Sequence, residues 1–86
     1  MNIYFSDLFL EGVEKLPADV KKALKKRLDI MADNPGYPSL RTKKIKGHEN
    51  IFEASITINM RMTGEYFVDG ILLRNIGEHD KTLHNP

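Results

Sequence analysis

Between residues 52 and 62 the even positions are Phe52, Ala54, Ile56, Ile58, Met60 and Met62, and the odd ones are Glu53, Ser55, Thr57, Asn59 and Arg61. Successive strand side chains point to opposite faces, so this alternation demands a sheet with one face buried and one wet. Eleven residues make a long strand. A turn near Asn59 would divide it, although no Gly or Pro marks one. Downstream, Tyr66-Phe67-Val68 and Ile71-Leu72-Leu73 flank Asp69-Gly70, a strong hairpin signal. Residues 42–46 offer a further strand, and residues 2–5 a short one.

The first forty residues follow a different period. Ser6 can cap a helix starting at Asp7, whose carboxylate complements the positive end of the helix dipole. Phe5, Phe9, Val13 and Leu16 then fall on one stripe, and Gly12 within it either weakens the helix or permits a close contact. Pro17 sits where prolines open helices. A second helix is predicted over about 18–33, with Val20, Leu24, Leu28 and Met31 as its apolar stripe and Asn34-Pro35-Gly36 as its stop. The expected fold is α+β: an N-terminal helical hairpin packed on one face of a twisted, mainly antiparallel sheet.

Eighty-six residues allow one domain, 1–86, with a modest core. The absence of cysteine removes disulfides, thiol nucleophiles and zinc–thiolate sites. No apolar run approaches the roughly twenty residues that span a bilayer. The start lacks a basic region followed by an apolar one, so no secretory signal is expected and the cytoplasm is the expected location. The net charge of +1 is unevenly spread. Residues 15–46 hold ten Lys or Arg against three Asp, whereas the segments on either side are acidic. A concentrated basic middle suits a phosphate or an acidic protein. For Lys21, Lys22, Lys25 and Lys26 a solvated helix face is the simpler account.

The chemistry concentrates near the C-terminus. Leu72-Leu73-Arg74-Asn75-Ile76-Gly77-Glu78-His79-Asp80 is an apolar strand ending in a glycine and an ionisable cluster. Histidine is the side-chain type suited to moving protons near neutral pH. Arg61 is a lone arginine inside the alternating strand, and together these two suggest a site for an anionic substrate. Each has a plainer account: Arg61 can pair with a cross-strand acid, Glu53 or Glu65, and His79 can be a turn residue. The ligand spacing of His79 and His84 matches no standard metal site, and no phosphate-cradling glycine loop is present.

The order of these pieces resembles the RelE/ParE superfamily of bacterial toxin–antitoxin toxins over essentially the whole chain. A helical hairpin ends in Asn34-Pro35, and the basic stretch Ser39-Leu40-Arg41-Thr42-Lys43-Lys44-Ile45-Lys46-Gly47 follows. Ile51-Phe52-Glu53-Ala54, Arg61 and the Gly77-Glu78-His79-Asp80 ending complete the set, which is most similar to the RelE and YafQ side. The resemblance implies a small toxin, neutralised by an antitoxin, that cleaves mRNA on the ribosome without metal or cofactor. It assigns proton transfer to His79 and phosphate contact to Arg61, whose planar donors match phosphate oxygens. It also implies RNA or phosphate binding by Arg41, Lys43, Lys44, Lys46 and Arg74.

The resemblance also has gaps. YafQ-like toxins carry further catalytic His and Asp residues where Ile56 and Met60 stand here, and no tyrosine follows Tyr66 to match the one near the RelE C-terminus. His48 is a second proton carrier or a surface loop residue. Asp80 orients His79 or caps a turn, and His84 reads as a tail residue. Two alternatives keep the fold: a ParE-like DNA gyrase inhibitor, which needs no proton carrier, and a non-catalytic module that binds the antitoxin. The expected protein partner is an antitoxin segment with an acidic amphipathic helix, received by the basic middle and by Tyr37, Leu40 and Ile51.

Overall fold

The computed structural model describes residues 1–86. Strand β1 (Asn2–Phe5) leads into helices α1 (Asp7–Glu14) and α2 (Ala18–Asp33). A 3-10 turn, Pro38–Leu40, then precedes β2 (Lys43–Lys44), β3 (Ile51–Ser55), β4 (Met60–Phe67), β5 (Gly70–Glu78) and α3 (His79–His84). The strands form one sheet in the order β1-β5-β4-β3-β2, with β1 parallel to β5 and every other pair antiparallel. The α+β expectation therefore holds.

The long alternation is two strands joined by a turn over residues 56–59. Paired residues differ by an even number, Ala54 with Met62 and Ser55 with Arg61. Both strands therefore keep even residues on the helix side, and the alternation runs through the turn as though nothing interrupted it. Phe52, Ala54, Ile56 and Met62 are buried, while Ile58, at the tip, is 88% exposed. Strand β5 carries a bulge: Thr63 pairs with Asn75 but the adjacent Gly64 pairs with Leu73, leaving Arg74 as the extra residue. The extra residue switches the parity of β5, so that Ile71, Leu73 and Ile76 all enter the core.

The helical hairpin forms as its residues require. Ser6 Oγ accepts from the Phe9 amide at 3.0 Å and donates to the Arg74 carbonyl at 2.7 Å, capping α1 and fastening it to the bulge. Phe9, Leu16, Leu24 and Met31 are buried on the sheet. Phe5 is not: it belongs to edge strand β1, lies half-exposed, and only leans its ring on Phe9. Leu40 was expected on the partner surface but is fully buried, because Arg27 donates to the Ser39 carbonyl and holds the 3-10 turn against α2.

The Asp69-Gly70 hairpin exists one residue earlier than its dipeptide suggests. Phe67 pairs with Gly70, so Val68 and Asp69 are the central residues, and neither has a positive φ. Gly70 is needed for another reason: a Cβ there would lie 2.2 Å from the Asn2 carbonyl oxygen. Nearby, the Tyr4 hydroxyl donates to Asp69 at 2.9 Å, and this bond to a carboxylate raises the phenol pKa above its ordinary value. Gly12 has the second expected role, close contact, since a Cβ there would meet Ile76 Cγ2 at 2.6 Å.

These two glycines respond differently to alanine. Gly12→Ala gains about 1 kcal/mol of helix propensity but overpacks against the buried, β-branched Ile76 side chain, at about 1–3 kcal/mol. A net loss of at most about 2 kcal/mol is expected. Gly70→Ala meets backbone, so relief requires β1 to leave β5. Its loss should exceed that of Gly12→Ala, with fast amide exchange confined first to residues 2–5. Thermal unfolding and hydrogen exchange of both variants test this, and a Gly70→Ala chain as stable as the parent would refute the account.

Candidate functional site

The 56–59 turn is built around Arg61. Its Nη1 donates to the carbonyls of Thr57 at 2.6 Å, Ile58 at 2.9 Å and Met60 at 3.0 Å. Its Nε lies 4.0 Å from a carboxylate oxygen of Glu53 on the neighbouring strand. The expected pairing with a cross-strand acid is present, at Glu53, and Arg61 has a further role that the sequence did not suggest, as the donor that folds the turn. Thr57 Oγ1 accepts from the Met60 amide at 3.2 Å and closes the loop.

The turn also receives the start of α3. The His79 amide donates to the Asn59 carbonyl at 2.9 Å. His79 is therefore held by its backbone, as the first residue of a helix rather than as a free turn residue. Its ring, 48% exposed, has one polar partner, Asp80 Oδ1, at 3.1 Å from Nδ1. The Asp80 side chain is fully exposed, so this contact lies on the solvent side of the ring. Thr82, one turn on, packs against Gly77, where a Cβ would lie 2.9 Å from its hydroxyl.

An open cleft of about 800 Å³ lies between the turn, the start of α2 and the start of α3. Arg61 and His79 both line it, so the structure brings together the two residues singled out for catalysis. Asp19, Asn59, Glu78 and Asp80 line it too. Three carboxylates thus share the cleft with one guanidinium, which is already beside Glu53. Asn59 and Asp19 were not foreseen: the first acts through its carbonyl, which no side-chain pattern reports, and the second comes from a distant helix.

The remaining predicted site residues are elsewhere. Arg74, on the outer face of the sheet, is held by Glu65 at 2.7 Å and donates from Nε to the Pro86 carbonyl at 3.1 Å. Lys43 and Lys44 are exposed on edge strand β2, and Lys46 and His48 lie on the loop beyond it. That loop leads into Ile51, which pairs with Glu65, whereas the Arg61 turn closes the opposite ends of β3 and β4. Arg41 is exposed after the 3-10 turn with φ 50°. His84 ends α3 and is exposed. No three His, Asp or Glu residues gather as a metal site, and no helix is long and apolar enough to cross a membrane.

No protein-family model matches the sequence, and no curated protein matches it. Solved structures do match the fold. A chain of the RelB–RelE antitoxin–toxin complex from Methanococcus jannaschii is 21% identical, with 96% of this chain and 99% of that one covered at a TM-score of 0.79. YafQ from E. coli is 13% identical, with 93% and 94% covered at 0.74. The YoeB/ParE toxin from Agrobacterium tumefaciens is 12% identical, with 92% and 99% covered at 0.78. The chain has the RelE-like fold from end to end.

The geometry separates the two candidate residues experimentally. Arg61→Ala leaves three turn carbonyls without their donor. Charge-assisted hydrogen bonds contribute about 1.5–3 kcal/mol, so a loss of about 2 kcal/mol is expected. Arg61→Lys should recover little of it, because an ammonium lacks the fork that reaches several acceptors. Denaturant unfolding measures the loss, and unchanged stability of Arg61→Ala would show that the turn holds itself.

Proposed function

We propose that this chain is a toxin of a type II toxin–antitoxin module in the RelE/ParE superfamily, a single domain over 1–86, and that it cleaves mRNA on the ribosome by metal-free acid–base chemistry in the cytoplasm. The observation that carries this reading is His79. Its main chain is fixed to the Asn59 carbonyl while its imidazole projects, half-exposed, into the cleft that Arg61 also lines. In the tautomer whose Nδ1 donates to Asp80, Nε2 carries the lone pair that takes a proton.

In this chemistry the ribose 2′-oxygen attacks the adjacent phosphorus and the bond to the 5′-oxygen breaks. His79 accepts the 2′-hydroxyl proton as the nucleophile forms, and a proton returns to the departing 5′-oxygen. The products are a 2′,3′-cyclic phosphate and a 5′-hydroxyl end. Charge that builds on the phosphoryl oxygens meets Arg61, whose Nη2 has no protein partner.

An antitoxin is the protein partner in this reading. The edge strand β1 and helix α1 expose Tyr4, Phe5, Leu8 and Leu10, an apolar strip of the kind that marks an interface, and Tyr37 is also half-exposed. Ile51 is partly buried and contributes less than its sequence context implied. The solved relatives crystallised as antitoxin–toxin complexes support the same expectation.

One observation favours a second reading. Asp19, Glu78 and Asp80 make the cleft richer in negative than positive charge, and Arg61 is largely occupied by the turn. A ParE-like gyrase inhibitor, or a module that only binds its antitoxin, needs no phosphate site there.

Mapping of mRNA 5′ ends with ribosome positions, in cells briefly expressing the parent chain or His79→Ala, separates these readings. His79 is held through its backbone, so the substitution spares the fold. A lost general acid or base lowers rate by about 10²–10⁴, so new ends at the ribosomal A site should vanish in the variant. Ends that persist would move the proton chemistry away from His79. Growth arrest without new ends would point to gyrase, and neither cleavage nor arrest to the binding module.

A further inference from the structure

The basic edge strand carries more than charge. Phe52 of β3 lies over Gly64, whose missing Cβ leaves room for the ring: a Cβ there would sit 2.6 Å from Phe52 Cζ. Tyr66 of β4 stacks on Phe52 with ring centroids 4.6 Å apart and planes inclined by 29°. Phe52 is thereby buried, whereas Tyr66 forms the outer layer and remains 46% exposed. Beside the stack is a slot of about 240 Å³ lined by Lys43, Lys44, Glu49, Asn50 and Tyr66, among others. None of the three ion pairs of the molecule involves these lysines. The Asn50 side chain bonds to no protein group, and only its carbonyl is engaged, by the Tyr66 amide at 3.4 Å.

From this geometry we infer that the Tyr66 slot is a nucleobase-stacking subsite for single-stranded RNA, with Lys43 and Lys44 on the flanking phosphates. The slot is separate from the His79 cleft and deepens the proposed RNA-directed function, on which it rests.

Three features select this ligand. Single strands are bound by aromatic platforms beside a line of cations, because every base has a π-face and every link a phosphate. The slot is smaller than the roughly 300–1,000 Å³ of sites for drug-sized ligands, yet suits one planar ring. Its neutral polar edge is Asn50, and Glu49 adds a carboxylate that repels phosphate but accepts from an exocyclic amino group. A base with such a group, adenine, cytosine or guanine, is therefore preferred over uracil. Burial raises the Tyr66 phenol pKa, so the ring presents a neutral hydroxyl at physiological pH.

Fluorescence anisotropy with labelled hexa-adenylate and hexa-uridylate tests the inference, using the full chain with His79→Ala so that RNA is not consumed. Tyr66→Leu should weaken hexa-adenylate binding about tenfold, within the range for one stacked base, and Tyr66→Phe should retain it. Because Tyr66→Leu alters the layer over Phe52, its unfolding midpoint is measured alongside. The surface pair Lys43→Ala/Lys44→Ala provides a check that does not touch the core. It should reduce the log–log salt slope by about 1.4, from about 0.7 per single-strand phosphate contact. Hexa-uridylate should bind more weakly than hexa-adenylate. Binding unaffected by both sets of substitutions, or no RNA binding at all, would overturn the subsite and leave the edge as a protein-docking surface. Cleavage in cells that depends on His79 while oligonucleotide binding ignores Tyr66 would reject the subsite alone. Tyr66-dependent binding without cleavage would reject only the nuclease chemistry.

Discussion

The extra residue at Arg74 decides more of this structure than any buried side chain. A regular β5 that kept Ile71 and Leu73 in the core would also turn Asn75 inward and Ile76 outward. The bulge reverses that: Ile76 reaches the core beneath Gly12, and Asn75 turns out to bond the Asn85 carbonyl at 2.9 Å. The carbonyls at the bulge are satisfied from outside the ladder, Leu73 by the Ser6 amide and Arg74 by the Ser6 hydroxyl. A single serine thus caps α1 and joins it to the irregular point of β5. Beyond the bulge, Gly77 pairs with Arg61 and faces the outer side, where Thr82 packs. The place of α3, and with it the place of His79, follows from that parity.

Arg61 illustrates how structure and chemistry compete for one side chain. A guanidinium that donates to three carbonyls is rigid, which is what a preorganised phosphate contact needs. Those bonds also use up donors, and the nearby Glu53 offsets the charge. Loss of activity in an Arg61 variant therefore reports on the turn as much as on any phosphate. His79 has the opposite character: its backbone carries the structural bond and its ring carries none to the protein beyond Asp80. Of the two, only His79 gives an interpretable substitution.

The helices were legible because their signals are local. Ser6, Pro17 and Asn34-Pro35-Gly36 mark their ends, and α2 spans the expected 18–33. The buried face of β3 and β4 was legible for the same reason, and an even register explains why the alternation runs on through the turn expected near Asn59. The bulge was not legible, because its only trace is a shift in apolar spacing from Ile71 and Leu73 to Ile76. Helix α3 was hidden by its brevity: six residues hold too few turns to show a period. For the site, the grouping of His79 with Arg61 was readable, but the separation of the lysines from them was not. His79 and Arg61 meet through the β4–β5 pairing, while the same sheet order sends the lysines to its far edge. The Phe52–Tyr66 stack depends on a cross-strand register that no linear pattern displays.

The lysine edge and the acidic cleft lie in separate regions of the sheet. Pairing places Lys43 on the face of Glu53 and Arg61, and Lys44 on the face of Phe52 and Gly64. Because β2 ends the sheet, the two lysines straddle an uncovered edge. From Lys43 to Arg61 is two strand spacings across and two residues along, roughly 12 Å from the usual sheet dimensions. The tail that covers Thr63 and engages Arg74 lies to one side of that path. On the proposed reading, a single strand anchored at the lysine edge, with one base turned under it onto Tyr66, would reach the cleft over Glu53 and Ser55. The cleft itself holds too much negative charge to attract a polyanion. In the proposed reading, affinity supplied at the edge removes that requirement and leaves the cleft to act on a phosphate delivered to it.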